Sequence, residues 1–223
     1  MKLKICIFPD SLVPAGDVVY PLRLLLNEDG GVIEAAPAFA DAAEVLAARL
    51  AYTAQSPGQI MLDMLSPCMR QAGYAPLPHA KRTIVCLTAI DPVSPPRPDL
   101  LCAYRDTAGL RWALSHARAH LPDDAVTVVE AGTVAAAAWY TEEGIAVETA
   151  PAYRRRGYAH TAAAALIAAR RQSGREVIYR CAETNTASMA LAASLGLQPT
   201  ARLWRPGFRR MAAGENLTKL NEE

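Results

Sequence analysis

The stretch "VETAPAYRRRGYAHTAAAALIAARR", residues 147–171, places three consecutive arginines, a glycine and a tyrosine ahead of an alanine-rich run. The run predicts a helix over about 158–172, and the start of a helix is the end its dipole makes positive. Cations gathered there repel the peptide dipoles unless an anion lies between them. Gly157 permits a backbone conformation that other residues resist, and lets a ligand approach closely. The amides of Arg155, Arg156, Gly157, Tyr158, Ala159 and His160 have no intrahelical carbonyl to bond, and a tight turn aims them into one small volume. Arg155 and Arg156 then add mobile positive charge around an anion held by backbone dipoles, and Thr161 offers a hydroxyl from the first helical turn. A pyrophosphate resolves the conflict. Arginine runs at element ends are more often solvated faces, but here strand, arginine, glycine and helix follow in order. Neither G-x-x-x-x-G-K-[ST] nor G-x-G-x-x-G is present, so the other phosphate loops fit poorly.

The elements that must position this turn lie on both sides of it. Residues 125–151, "AVTVVEAGTVAAAAWYTEEGIAVETAP", predict three short strands joined at "EAG" and "TEEG", an antiparallel meander. After the alanine-rich helix come a strand over 176–182, a helix over 185–197 and a strand around 200–204. Upstream, "TAGLRWALSHARAHL" (107–121) reads as an amphipathic helix with Leu110, Ala113, Leu114 and Ala117 on one side. A meander followed by strand–helix alternation gives a mixed α/β fold: a largely antiparallel sheet flanked by helices. "DPVSPPRPD" (91–99), with four prolines, reads as a connector that divides the chain near residue 95. Before it, helices are expected over 38–52 and 58–74, the second with Pro67 inside, and strands over 82–90 and at the N-terminus. The expected organisation is a mainly helical segment over 1–95, a cofactor-binding domain over 96–210 and a tail over 211–223.

Composition bounds the function. The 223 residues are 52% hydrophobic, enough to bury a sizeable core, and the formal charge is +1. Partners such as nucleic acid or an anionic membrane surface usually demand a basic excess, so neither is expected and any anion site is local. The five cysteines (Cys6, Cys68, Cys86, Cys102, Cys181) are scattered, odd in number and without a C-x-x-C pair, which suits reduced thiols. No signal peptide or apolar span is read, and the expected location is the cytoplasm. His116 and His120 have i, i+4 spacing but lack the Glu of a zincin helix, His79 and His160 stand apart, and no metal site is expected. No serine sits in a nucleophile elbow.

At Arg154, Gly157 and Ala159 the pattern R-x-x-G-x-A, after a strand ending in "VETAP", resembles the acetyl-CoA-binding motif of the GNAT N-acetyltransferase superfamily, (Q/R)-x-x-G-x-(G/A). Downstream, Asn185, Ser188, Leu195, Gly196 and Leu197 are similar to that family's N-x-x-S/A…G-F helix. The resemblance is strong over roughly 145–197, extends over 100–210 and is absent before the connector. It implies a fourth and a fifth strand, here about 145–149 and 176–182, splayed into a cleft. The backbone of Val147, Glu148 and Thr149 would pair with the pantetheine arm of acetyl-CoA, and the amides of Arg155 to His160 would hold its pyrophosphate. Asn185 would touch the cofactor from the next strand–helix junction.

The implied reaction is direct acyl transfer in a ternary complex. An amine attacks the thioester carbonyl, a backbone amide near Val147 polarises that carbonyl, and thiolate leaves. Glu143, where many members keep a glutamate at the start of the fourth strand, and Glu148 are the candidate bases; an ordinary polar turn and a solvent-facing strand position are the alternatives. One departure stands out. Members that protonate the thiolate often use a tyrosine seven residues after the asparagine, where this chain has Ala192. Tyr179, Tyr158, Ser188, Cys181 or water would have to substitute. Trp139 and Tyr140 would line an acceptor pocket or fill core. The reading is an acetyl-CoA-dependent N-acyltransferase whose acceptor is a small-molecule or protein amine, with the first 95 residues capping the sheet, shaping the acceptor pocket or forming a homodimer. The alternative is a non-catalytic acyl-CoA-binding sensor or interaction module.

Overall fold

The computed structural model describes residues 2–8, 17–80, 82–89, 95–116 and 121–212. The chain divides into two compact units, 1–85 together with 201–223, and 86–200.

In the first unit, β1 (Leu3–Ile7) runs parallel to β4 (Gly30–Ala35). β4 pairs in antiparallel register with β3 (Leu22–Asn27), and residues 202–204 at the end of β13 (Leu197–Trp204) extend the sheet beyond β3. Alternate residues of β3 and β4 point inward, as a half-buried sheet requires. Leu22, Leu24, Ile33 and Ala35 meet Leu46 of α1 (Ala40–Leu50) and Ile60, Met61 and Leu65 of α2 (Pro57–Gln71) in one buried cluster. Ser56 caps α2, its Oγ accepting the amide of Gln59 at 3.3 Å. A small sheet, β2 (Val18–Val19), β14 (Phe208–Arg210) and β5 (Tyr74–Pro76), closes the unit. Both expected helices are present, but the segment is as much strand as helix, which corrects the mainly helical expectation. The missed feature is the β3–β4 hairpin, whose strands meet around Glu28–Asp29 with the Asn27 side chain accepting the amide of Gly30.

The second unit is built on the meander. β9 (Val126–Glu130), β10 (Thr133–Thr141) and β11 (Gly144–Thr149) pair in antiparallel order, and β7 (Leu101–Ala103) adds to β9. α3 (Tyr158–Gln172) packs on β9–β11 through Ala162, Ala163, Leu166 and Ile167, all at zero exposure. Small residues on both surfaces let helix and sheet approach closely. β12 (Ile178–Ala182), α4 (Thr186–Ser194) and the start of β13 follow, and β6 (Ile84–Ala89) lies between β12 and β13 in strand order.

The expected helix over 107–121 is corrected. Residues 107–110 form a turn with Gly109 at φ 90°, and β8 (Arg111–Trp112) pairs in parallel with Thr133–Val134 of β10. The amides of Arg111 and Ala113 are taken by the carbonyls of Gly132 and Val134, bonds that a helix would forbid. Leu110, Ala113 and Leu114 still bury against the sheet, packing with Val134 and Ala137. Residues 117–120, 91–94 of the connector, and the tail beyond 212 lie outside the described residues.

Candidate functional site

β11 is an edge strand of its sheet, and β12 belongs to a different one. The two strands meet where β11 begins. There Gly144 lies against Ile178, the Ile178 amide donates to Tyr140 Oη at 3.3 Å, and Arg180 donates to the Glu143 carbonyl at 3.2 Å. Among the described residues no ladder joins them, so the outer backbone edge of Val147–Thr149 faces a gap rather than a strand partner.

At the open end of that gap β11 passes through a single 3-10 turn (Pro151–Tyr153) into α3. Gly157, the residue before the helix, is left-handed at φ 79°, ψ 4°, and a Cβ built on it would meet nothing within 4 Å. Arg155 is left-handed as well, at φ 64°. A non-glycine residue in that region carries strain, which clusters at ligand clamps. Among the described residues no acceptor takes the amides of Arg155 to His160; the next amide, that of Thr161, bonds the Gly157 carbonyl at 2.9 Å.

The side chains sort differently. Thr161 is buried and its hydroxyl donates to the Gly157 carbonyl at 3.1 Å, so it braces the turn. Arg156 bonds Glu130 at 3.1 Å and stacks over Tyr153; Glu130 also accepts from Tyr158, a hydrogen bond that chiefly raises the pKa of that phenol. Glu130 at the end of β9 is thus a partner of the arginine turn that no spacing in the sequence indicates. Arg154 donates to the Thr149 carbonyl at 3.3 Å, and Arg155 is exposed. The Nε2–H of His160 bonds the Ser194 carbonyl at 3.0 Å, tying α3 to α4. Its Nδ1, and Thr149 Oγ1 at the end of β11, are buried without a hydrogen-bond partner. Ala159 follows in the first turn of α3. Asn185 caps α4, accepting the Ser188 amide at 3.1 Å; Ser188 Oγ accepts from Tyr179 at 3.2 Å. Burial raises the pKa of Tyr179, more than the Ser188 bond lowers it, and burial likewise raises that of Cys181.

The three candidate catalytic groups part company here. Glu143 sits on the β10–β11 turn, its side chain 55% exposed and facing Arg180, at the closed end of the strand pair. Tyr179 lies beside α4. Glu148 stands on β11 opposite Ala137, on the face covered by Leu114 and Tyr153 and away from α3. Its side chain is 20% exposed, and Oε1 accepts both the amide and the hydroxyl of Ser115, each at 3.0 Å. Burial opposes its ionisation, but those bonds, the His116 amide and the nearby His116 ring outweigh it and hold the carboxyl below the ordinary range. A carboxyl lowered on folding stabilises the fold above the ordinary glutamate pKa of about 4.3 and loses that contribution as pH falls through its folded value. The melting temperatures of wild type and Glu148→Gln are therefore expected to differ most near neutrality and to converge in acid, which thermal unfolding between neutral pH and pH ~3 checks.

The described residues contain no group of three His, Cys, Asp or Glu able to hold a metal ion, and no helix long and apolar enough to cross a membrane.

Residues 127–202, about a third of the chain, match the family model of GNAT acetyltransferases. This stretch runs from β9 to β13 and contains the whole junction, so the resemblance carried by Arg154, Gly157, Ala159 and Asn185 holds for the C-terminal half. No curated protein matches the sequence. Among solved structures, an acetyltransferase from the GNAT family of Novosphingobium aromaticivorans is 19% identical with a TM-score of 0.47, the match covering 63% of this chain and 69% of that one. A GCN5-related N-acetyltransferase from Sphaerobacter thermophilus is 18% identical (TM-score 0.43; 70% and 59% covered). A GCN5-related N-acetyltransferase-like protein from Streptococcus suis is 15% identical (TM-score 0.45; 89% and 87% covered). The chain thus spans less than two thirds of the Sphaerobacter protein.

Proposed function

We propose that the protein is an acetyl-CoA-dependent N-acyltransferase that moves an acetyl group to an amine. The β11–α3 junction carries this reading: six successive amides without a protein acceptor surround an open, left-handed glycine inside the stretch that matches the family. An acyl-CoA fits the donors present. The amides of Arg155 to His160, with Arg154 and Arg155 beside them, suit a pyrophosphate, and the buried unpartnered Thr149 Oγ1 and His160 Nδ1 flank them. The free edge at Val147–Thr149 suits the amides of a pantetheine arm, received as an added strand would be. Asn185 and Ser188 stand at the neighbouring junction.

Bound acetyl-CoA supplies an acyl group activated as a thioester. The protein's own contribution is placement and proton handling. Glu148 is ionised at neutral pH and presents a carboxylate on the face opposite α3, where it can take a proton from an acceptor ammonium. Tyr179 Oη keeps its proton, which burial makes harder to lose, and is held against Ser188. Glu143, turned toward Arg180, is the weaker candidate base. The acceptor is a small-molecule or protein amine. The cytoplasm suits five cysteines that are all unpaired.

The second reading, a non-catalytic acyl-CoA sensor, is favoured by Ala192, which is at zero exposure where an acid-supplying tyrosine would stand. Calorimetric titration with acetyl-CoA is expected to give saturable heat, and thiol release from acetyl-CoA is expected with at least one member of a broad amine panel. No heat with wild type would sink both readings. Tight binding with no thiol release on any amine would leave the sensor.

A further inference from the structure

Glu148 is held by a segment that no local pattern places near it. Ser115, 33 residues earlier, reaches the carboxylate with both its amide and its hydroxyl, at 3.0 Å each. The same hydroxyl lies 2.6 Å from Nδ1 of His116, and that nitrogen is 3.7 Å from Glu148 Oε1. The three groups run from a largely covered carboxylate, 20% exposed, to an imidazole 88% exposed. An anchor for Glu148 needs only the Ser115 amide. A hydroxyl within bonding distance of both carboxylate and imidazole, with one proton to give, is what a relay needs.

We propose that Ser115 and His116 form a proton exit from Glu148, carrying to solvent the proton that the carboxylate takes from the acceptor amine. This rests on the acyltransferase reading. At rest, Ser115 Oγ donates to ionised Glu148. The acceptor ammonium gives a proton to the carboxylate and becomes the nucleophilic amine. The carboxyl then gives that proton to Ser115 Oγ as the serine's own proton passes to Nδ1 of neutral His116, and the imidazolium releases its Nε2 proton to water. The ammonium has lost one proton, water has gained one, and all three side chains regain their charge; the ring, left protonated on Nδ1, exchanges that proton with water for one on Nε2 before the next turnover. With His116 protonated beforehand the exit is closed.

The groups around the relay are few. Across the strand pair Glu148 faces Ala137. Tyr104 and Tyr153 are the titratable side chains of the cluster on that face. The cations of β8 and of the turn after β11, Arg111 and Arg154, bond Thr133 Oγ1 and the Thr149 carbonyl. Beside the Ser115 bonds, the His116 amide and ring are the groups that act on Glu148.

The test compares wild type, Ser115→Ala and His116→Ala in thiol release from acetyl-CoA with primary amines. Both variants are expected to lose at least about tenfold in kcat, with KM for acetyl-CoA unchanged. Between pH 5 and 8, where imidazole side chains change charge, the acid limb of the kcat profile is expected to flatten in His116→Ala. Added imidazole is expected to restore His116→Ala, whose site opens to solvent, but not Ser115→Ala. Without any cofactor, the ring nitrogen NMR resonances of His116 at one fixed pH are expected to move in Ser115→Ala, since the Ser115 hydroxyl lies within bonding distance of Nδ1. Variants as active as wild type, a His116→Ala enzyme that imidazole does not restore, or unmoved His116 ring resonances in Ser115→Ala would each overturn the relay and leave the acyltransferase reading intact. A wild-type protein that releases no thiol with any amine would overturn that reading, and the relay with it.

Discussion

Gly157→Leu is expected to weaken acetyl-CoA binding by at least about 100-fold, some 2.8 kcal/mol, while the protein stays folded. A Cβ at Gly157 meets nothing within 4 Å, so the side chain displaces no protein atom. It projects into open space beside the amides of residues 155–160, where it is expected to exclude the anion. The left-handed backbone adds a stability cost of about 1–2 kcal/mol for any side chain. That cost needs its own control, and the other end of α3 provides one. Gly174 is left-handed too, at φ 65°, and a Cβ there also meets nothing. Gly174→Leu should therefore lower the melting temperature much as Gly157→Leu does, yet bind acetyl-CoA like wild type. Calorimetric titration of the three proteins, with melting curves, separates strain from occlusion. If Gly157→Leu binds as wild type does, the junction is not where the diphosphate sits.

The junction was legible in the sequence because everything that makes it is local. Charge, glycine and helix start fall within about a dozen residues, and the rule that helix-start amides lack partners does not depend on tertiary context. The meander and α3 were legible for the same reason: "EAG" and "TEEG" punctuate alternation, and the alanine run changes the period from two to that of a helix. What failed depended on distant partners. Residues 107–116 have helical composition, but two of them pair with β10 more than 20 residues on, and such pairing overrides propensity. Spacing marks His116 only as half of an incomplete metal pair and does not mark Ser115, because nothing in the chain shows that β8 brings them near Glu148. Arg156 meets Glu130 by the same kind of long-range approach. The β3–β4 hairpin is different: Asn27 to Gly31, "NEDGG", is a turn signal between two apolar runs, and it was available locally.

Gly144→Ala should destabilise the protein by about 2–6 kcal/mol, the sum of about 1–3 for the backbone conformation and about 1–3 for overpacking. The backbone is at φ 111°, and an added Cβ would lie 2.5 Å from the Ile178 carbonyl oxygen and 3.2 Å from its carbon. Both are main-chain atoms of β12, so no rotamer relieves the clash; the strands must separate. For a chain of this length the loss corresponds to a fall in melting temperature of about 4–24 °C. The same contact sets the angle of the cleft. Gly144–Ile178, with the Tyr140 and Arg180 bonds beside it, pins β11 to β12 at one end, and the gap that exposes Val147–Thr149 opens from that pin. Moving the pin shifts the edge that would receive the pantetheine arm without touching the amides that would receive the pyrophosphate. Gly144→Ala should therefore bind acetyl-CoA more weakly than wild type but still bind the diphosphate portion, tested with 3′-phosphoadenosine 5′-diphosphate, whereas Gly157→Leu loses both. A Gly144→Ala protein melting within about 2 °C of wild type would show that β11 and β12 do not meet at this residue, and the cleft geometry would have to be drawn again.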